Sequence, residues 1–255
     1  MPSLLVSAVD HLFDDAGLFP PARLPMAEAL AAHERSTTGA HKRFVGPFLC
    51  PVSRLDELDA CVASGRPRPA ELGVLAYGLG TGGRRLGATP GLVQCEAPLG
   101  TRLPDLGGRV RRYLEIPAQT PVASALDAVA AAGARVKVRC GGPTRDDVPS
   151  CARLADVLVG CVERGLTLKA TAGLHQPFRH TTRTGPQHGF VNLLAAAGEA
   201  RKGGDRASVA AILAAEEPEA AGLVDEVARA RELLMSIGTC SIDEPMQALT
   251  ERGLL

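Results

Sequence analysis

Between residues 44 and 171 this chain repeats one pattern: a short apolar run of five to seven residues, then a polar or helical stretch. The runs are Phe44–Cys50, Leu72–Tyr77, Gly91–Glu96, Arg112–Ile116, Arg135–Arg139 and Leu166–Thr171. Helical spacing separates several of them, over Val52–Ser64, Val122–Ala132 and Pro149–Arg164. Run ends recur at roughly 20- to 30-residue intervals, which suits successive strand–helix units and a parallel sheet. Val, Leu and Ile dominate the runs, as expected of strands covered on both faces. After Thr171 a long loop, Ala172–Gln187, leads to helices over His188–Lys202, Asp205–Glu217 and Leu223–Leu234, and Leu234–Cys240 is a weaker seventh strand. The first 40 residues read as helical, with Leu4–Phe13 and Leu24–His33 on either side of Pro20-Pro21. The expected architecture is α/β: a (β/α)8-barrel-like domain spanning residues 1–255, with residues 1–40 as an N-terminal helical extension packed on it. At 255 residues the chain has the usual length of such a barrel. Seven runs leave open an incomplete or variant barrel, or an open doubly wound sheet.

Composition narrows the function classes. Acidic and basic residues balance at 28 each, so no global field draws in nucleic acid or an anionic membrane surface. No run of about eighteen apolar residues and no basic-then-apolar leader pattern is present, and a cytoplasmic location is expected. Aromatic residues are 3% and tryptophan is absent, so Leu, Val, Ala and Ile must build the core. The seven cysteines are scattered without a C-x-x-C pair, and read as small buried hydrophobes rather than disulfides or zinc ligands. Ala-rich helices leave open a homo-oligomer as well as packing on the sheet.

Only four of the 28 basic residues are lysine: Lys42, Lys137, Lys169 and Lys202. Where arginine is the habitual cation, a lysine inside an apolar strand suggests that an amine is wanted, since an amine can lose its proton when desolvated and guanidinium effectively cannot. Ligands of parallel α/β folds bind at the carboxyl ends of the strands. Four consecutive runs here carry charge there: Glu96, Glu115, Lys137 with Arg139, and Lys169 followed by Thr171. Period-two alternation puts Lys137 and Arg139 on the face opposite Val136 and Val138, and pairs Lys169 with Thr171. If the valines face the helices, both amines enter the barrel on adjacent strands, where each charge is expected to depress the other's pKa. The alternative is an internal salt-bridge network, costly to keep for stability alone.

The flanking loops add candidates. Arg139 with Cys140-Gly141-Gly142 reads as an anion grip, a guanidinium beside approachable backbone N–H groups. The basic loop Gly80–Arg85 reads as another, or as a flexible lid. His175, His180 and His188 cluster with Arg179 and Arg183 after the sixth run. Their spacing matches no metal motif, so His175 is expected to shuttle protons near Lys169, and His180 and Arg183 to close over an anionic substrate. Ser236–Pro245 reads as a strand, a turn and a helix start, where Cys240 is a nucleophile candidate without a base close in sequence.

A lysine on the sixth run with a second amine on its neighbour resembles the layout of class I aldolases and related lysine-dependent barrel enzymes. The resemblance spans the topology of residues 44 to 200 and no local motif. It implies Lys169 as a Schiff-base nucleophile and Lys137 as its electrostatic partner. The first functional expectation is an aldolase-type lyase on a small anionic carbonyl compound, with Glu115 or Glu96 moving protons, Arg139 orienting the substrate and no cofactor. A second is an isomerase or epimerase with a divalent metal held by Glu96 and Glu115. A third is a non-catalytic anion-binding barrel.

Overall fold

The alternation of valine and charge in residues 135–139 sets the geometry. Val136 and Val138 are buried in the outer apolar core while Lys137 points to the other side. In the computed structural model, which describes residues 2–77, 86–183, 185–216, 227 and 229–255, that other side is the interior of a closed barrel. Its parallel strands, in chain order, are β1 (Phe13–Asp15), β2 (Val45–Pro51), β3 (Leu72–Leu75), β4 (Leu92–Pro98), β5 (Arg111–Glu115), β6 (Arg135–Arg139) and β7 (Leu168–Thr171). A small antiparallel hairpin follows, β8 (His180–Thr182) and β9 (Gly185–Gln187). The last barrel strand, β10 (Leu234–Thr239), pairs with both β7 and β1 and closes the ring.

The described helices are α1 (Pro2–Ala8), α2 (Met26–Thr38), α3 (Leu55–Ala63), α4 (Val122–Ala131), α5 (Cys151–Glu163), α6 (Phe190–Lys202), α7 (Arg206–Ala214) and α8 (Asp243–Thr250). Local chemistry sets several of their ends. The Ser150 hydroxyl accepts the Arg153 N–H at the start of α5, and Asp205 accepts the Ser208 N–H at the start of α7. Gly203, at φ 94°, ends α6 in the left-handed conformation that glycine adopts freely. No helix separates β4 from β5, where residues 99–110 are irregular. Among the described residues no helix is long and apolar enough to cross a membrane.

The barrel is therefore complete, and its N-terminal stretch differs from the expected helical extension. Helices α1 and α2 are present, but Phe13–Asp15 between them is the first barrel strand, paired with β10 and β2. Its outward Phe13 packs edge-on against Phe190 of α6, with ring centroids 5.4 Å apart. Its inward residue is Asp14, whose partner across the β1–β10 pair is Gly238. A helix over Asp205–Glu217 is realised as the shorter α7. The helix expected over Leu223–Leu234 does not reach Leu234, since residues 231–233 form a turn and Leu234 begins β10, while residues 223–226 and 228 lie outside the described residues, as does the whole loop Gly80–Arg85.

Candidate active site

Strand pairing places Lys137 beside Lys169, Lys169 beside Ser236, and Lys137 beside Glu115. With Asp14, Gln94 and Glu96 they form a polar layer inside the barrel in which five side chains, Asp14, Gln94, Glu96, Lys137 and Lys169, are 3% exposed or less. Such charges are tolerated in a dry interior only when paired. The Lys169 ammonium lies 2.5 Å from Asp14 Oδ2 and 2.5 Å from Glu96 Oε1. The Lys137 ammonium lies 2.6 Å from Glu96 Oε2 and 3.2 Å from Glu115 Oε2. Glu96 thus bridges the two amines, one on each carboxylate oxygen. Gln94 donates to Asp14 Oδ2 at 2.8 Å and to Glu96 Oε1 at 3.1 Å, and the Ser236 hydroxyl donates to Asp14 Oδ2 at 3.0 Å. Space for Asp14 comes from Gly46, where an added Cβ would stand 2.6 Å from Asp14 Oδ1.

The two amines differ in their surroundings. Lys169 is wholly enclosed, and its ammonium lies over the ring of buried Tyr113. Lys137 reaches the rim. Its ammonium donates to the Tyr77 hydroxyl at 3.0 Å, and that hydroxyl in turn donates to Glu115. Tyr77 is 39% exposed overall, with its hydroxyl end turned down onto this pair. Arg139 stands outermost, its Nε 3.6 Å from Glu115 Oε1 and its side chain 48% exposed.

The electrostatics reverse one expectation. Mutual repulsion was expected to lower the lysine pKa values, yet both are raised. Burial pulls each down, but Asp14 and Glu96 outweigh it at Lys169, as do Glu96 and Glu115 at Lys137. The Lys137 charge does oppose protonation of Lys169, as a smaller effect than either carboxylate. Glu96 falls to about 2: burial pushes it up, and the two ammoniums more than reverse this. Glu115 is also lowered, with burial overcome chiefly by Lys137. Tyr77 is pushed up by burial and then by the Glu115 charge, so it stays a proton donor. These directions keep Lys137 and Lys169 as ammoniums and Glu96 and Glu115 as carboxylates at neutral pH.

The remaining candidates are dispersed. A Cβ on Gly141 would stand 2.7 Å from the Gly173 Cα, and one on Gly142 2.5 Å from the Asp147 side chain. Both glycines therefore serve close packing of the β6 and β7 loops, and the Asp147 carboxylate beside Gly142 is a poor neighbour for an anion. Thr171, at the end of β7, lies against Gly238 and pairs in register with Arg139. His180 Nδ1 lies 3.1 Å from the Phe178 carbonyl, in the hairpin. Arg183 is exposed at the hairpin turn. His175, expected beside Lys169, is directed at Glu244 and Cys240. His188 is buried and bonded to the Pro149 carbonyl at 2.7 Å.

Among the described residues no group of three or more His, Cys, Asp or Glu converges as a metal-holding set. Glu96 and Glu115, expected to share a divalent cation, converge on the Lys137 ammonium. Sequence reasoning missed Asp14, Gln94, Tyr77 and Ser236. Gln94 had a signal, since period-two alternation puts it on the face of Glu96. No family model matches the chain, and no curated protein or solved structure matches it.

Proposed function

We propose that this barrel is a lysine-dependent lyase of the aldolase type, which forms a Schiff base with a small anionic carbonyl compound at its mouth. One observation carries the reading: two interior amines share the Glu96 carboxylate, and one of them, Lys137, extends to a rim made of Tyr77, Glu115 and Arg139. Enclosure argues against Lys169 as the attacking amine, because its ammonium is sealed between Asp14 and Glu96. Lys137 takes that role, and Lys169 holds Glu96 ionised and in place.

To attack, the Lys137 ammonium gives a proton to Glu115, its rim-side carboxylate. The free amine adds to the carbonyl carbon, and Tyr77, still protonated, donates to the developing alkoxide. Glu115 returns its proton to the hydroxyl, which leaves as water and gives an iminium. As the bond between the α and β carbons breaks, its electron pair forms the enamine and Glu115 takes the β-hydroxyl proton, so that this fragment leaves as a carbonyl compound. Protonation of the enamine and hydrolysis of the iminium then free Lys137. In this reading Arg139 holds the carboxylate or phosphate of the substrate.

Borohydride reduction in the presence of pyruvate, dihydroxyacetone phosphate and glyceraldehyde 3-phosphate, followed by peptide mapping, tests this. An adduct on Lys137 and not on Lys42 or Lys202 is expected. An adduct on Lys169 would return the nucleophile's role to that residue, and no adduct on either across the panel would remove the reading. That both interior ammoniums are ion-paired favours a second reading, a non-catalytic anion-binding barrel. It gains if trapping fails while Arg139→Ala weakens phosphate binding.

A further inference from the structure

A second chemically competent cluster lies at the same end of the barrel, on the segments that follow β7 and β10. Strands β7 and β10 are neighbours, so the segments that leave them meet. His175 follows β7 and Cys240 follows β10, 65 residues apart in the chain, with His175 Nε2 3.9 Å from the Cys240 sulfur. On the far side of the ring, Glu244 in the first turn of α8 places Oε2 2.6 Å from His175 Nδ1, at ion-pair distance but without hydrogen-bond geometry. The order is thiol, imidazole, carboxylate, the arrangement that activates a nucleophile through a base oriented by a third group.

Two further features fit a reactive centre. Cys240 is partly exposed, whereas Cys50, Cys95, Cys140 and Cys161 are buried. Near it lies a small cluster of buried apolar residues separate from the main core, Ala16, Leu49 and Leu75, with the partly buried Phe19 packed on them. The Ala16 N–H donates to the Thr239 carbonyl at 2.7 Å, which fixes this patch against the end of β10. Burial, then the Glu244 charge, pushes the Cys240 thiol pKa up, so it is protonated at neutral pH and needs a base.

We propose that Cys240, His175 and Glu244 form a nucleophile–base–carboxylate relay that hydrolyses small esters or thioesters with a short apolar acyl group. His175 Nε2 takes the thiol proton as sulfur bonds to the acyl carbon. The bond from that carbon to the leaving oxygen or sulfur breaks, and the imidazolium returns the proton to the leaving group. Water then attacks the acyl-enzyme with His175 again as base, releasing the acid and restoring the thiol. The acyl chain packs against Phe19, the partly buried edge of the apolar cluster.

The full chain, treated with p-nitrophenyl butyrate and followed by intact mass and peptide mapping, provides the test. Cys61 and Cys151 are likewise partly exposed and serve as internal controls. Cys240 is expected to acylate about 100-fold faster than either. His175→Gln is expected to slow this about 100-fold, the usual worth of a general base, with an unchanged thermal melt, and Glu244→Gln to slow it less. Butyrate release beyond one equivalent is expected as well. Equal acylation of the three cysteines, an unchanged rate in His175→Gln, or a dead-end acyl adduct would overturn the proposal. Because the adduct forms on sulfur, these outcomes are independent of borohydride trapping on lysine.

Discussion

Replacing Lys169 by methionine tests the electrostatic design of the barrel interior. The side chain is fully enclosed, and its ammonium makes two ion pairs of 2.5 Å, to Asp14 and Glu96. Methionine keeps most of the volume and removes the charge. Asp14 and Glu96 then face each other across the vacated position, with the Gln94 amide touching both. Breaking a buried pair in this way costs about 3–5 kcal/mol, a large share of the roughly 5–15 kcal/mol that holds a domain folded. Urea unfolding followed by circular dichroism reads this as a lower midpoint at pH 7.

The sign of the pH dependence is the sharper test. In the wild type, Glu96 is depressed on folding, so acid removes stability. In the variant, two facing carboxylates bind a proton more readily in the folded state than in the unfolded chain. The folded state then binds more protons than the unfolded state, and stability rises as pH falls from 7 towards 5. Adding Asp14→Asn removes the repulsion and is expected to restore most of the loss, which also keeps the test available if the single variant folds poorly. A loss below about 1 kcal/mol, or a pH slope equal to that of the wild type, would refute the reasoning.

Three further outcomes follow. Glu96, lowered from 4.5 to about 2, contributes stability on the order of 3 kcal/mol that is fully present above its unfolded value and lost as pH falls through the folded one. The unfolding free energies of wild type and Glu96→Gln should therefore converge as pH falls across that window. Gly46→Ala puts a Cβ 2.6 Å from Asp14 Oδ1 and should cost about 1–3 kcal/mol, read as a lower melting temperature. Asn192 accepts the Arg179 N–H and donates to the Ile212 and Ala215 carbonyls. Asn192→Ala should cost about 1–3 kcal/mol and speed hydrogen exchange at the Arg179 amide.

Much of the barrel was legible because its strands are apolar on the outside. Arg135–Arg139 is a strand over the range expected, since Val136 and Val138 mark its outer face and Lys137 its inner one. Strand β1 was not legible. Phe-Asp-Asp is three residues long with two acids, and it belongs to the sheet only because β2 and β10 supply both edges. Missing it meant missing Asp14, and with it the reason that Lys169 holds its proton. Tyr77 was included in an apolar run that ends at Leu75, so its place on the rim was hidden. Cys240 seemed to have no base because the sequence cannot show that the ends of β7 and β10 are neighbours.

Direct observation of the imine tests the central claim. The wild-type protein and the Lys137→Met variant would be mixed with 13C-labelled carbonyl compounds from the trapping panel and examined by carbon NMR without reductant. An imine carbon resonance is expected in the wild type and absent in Lys137→Met, while Lys42→Met and Lys202→Met retain it. No imine resonance with any compound, or one that persists in Lys137→Met, would contradict the assignment of Lys137 as the Schiff-base lysine.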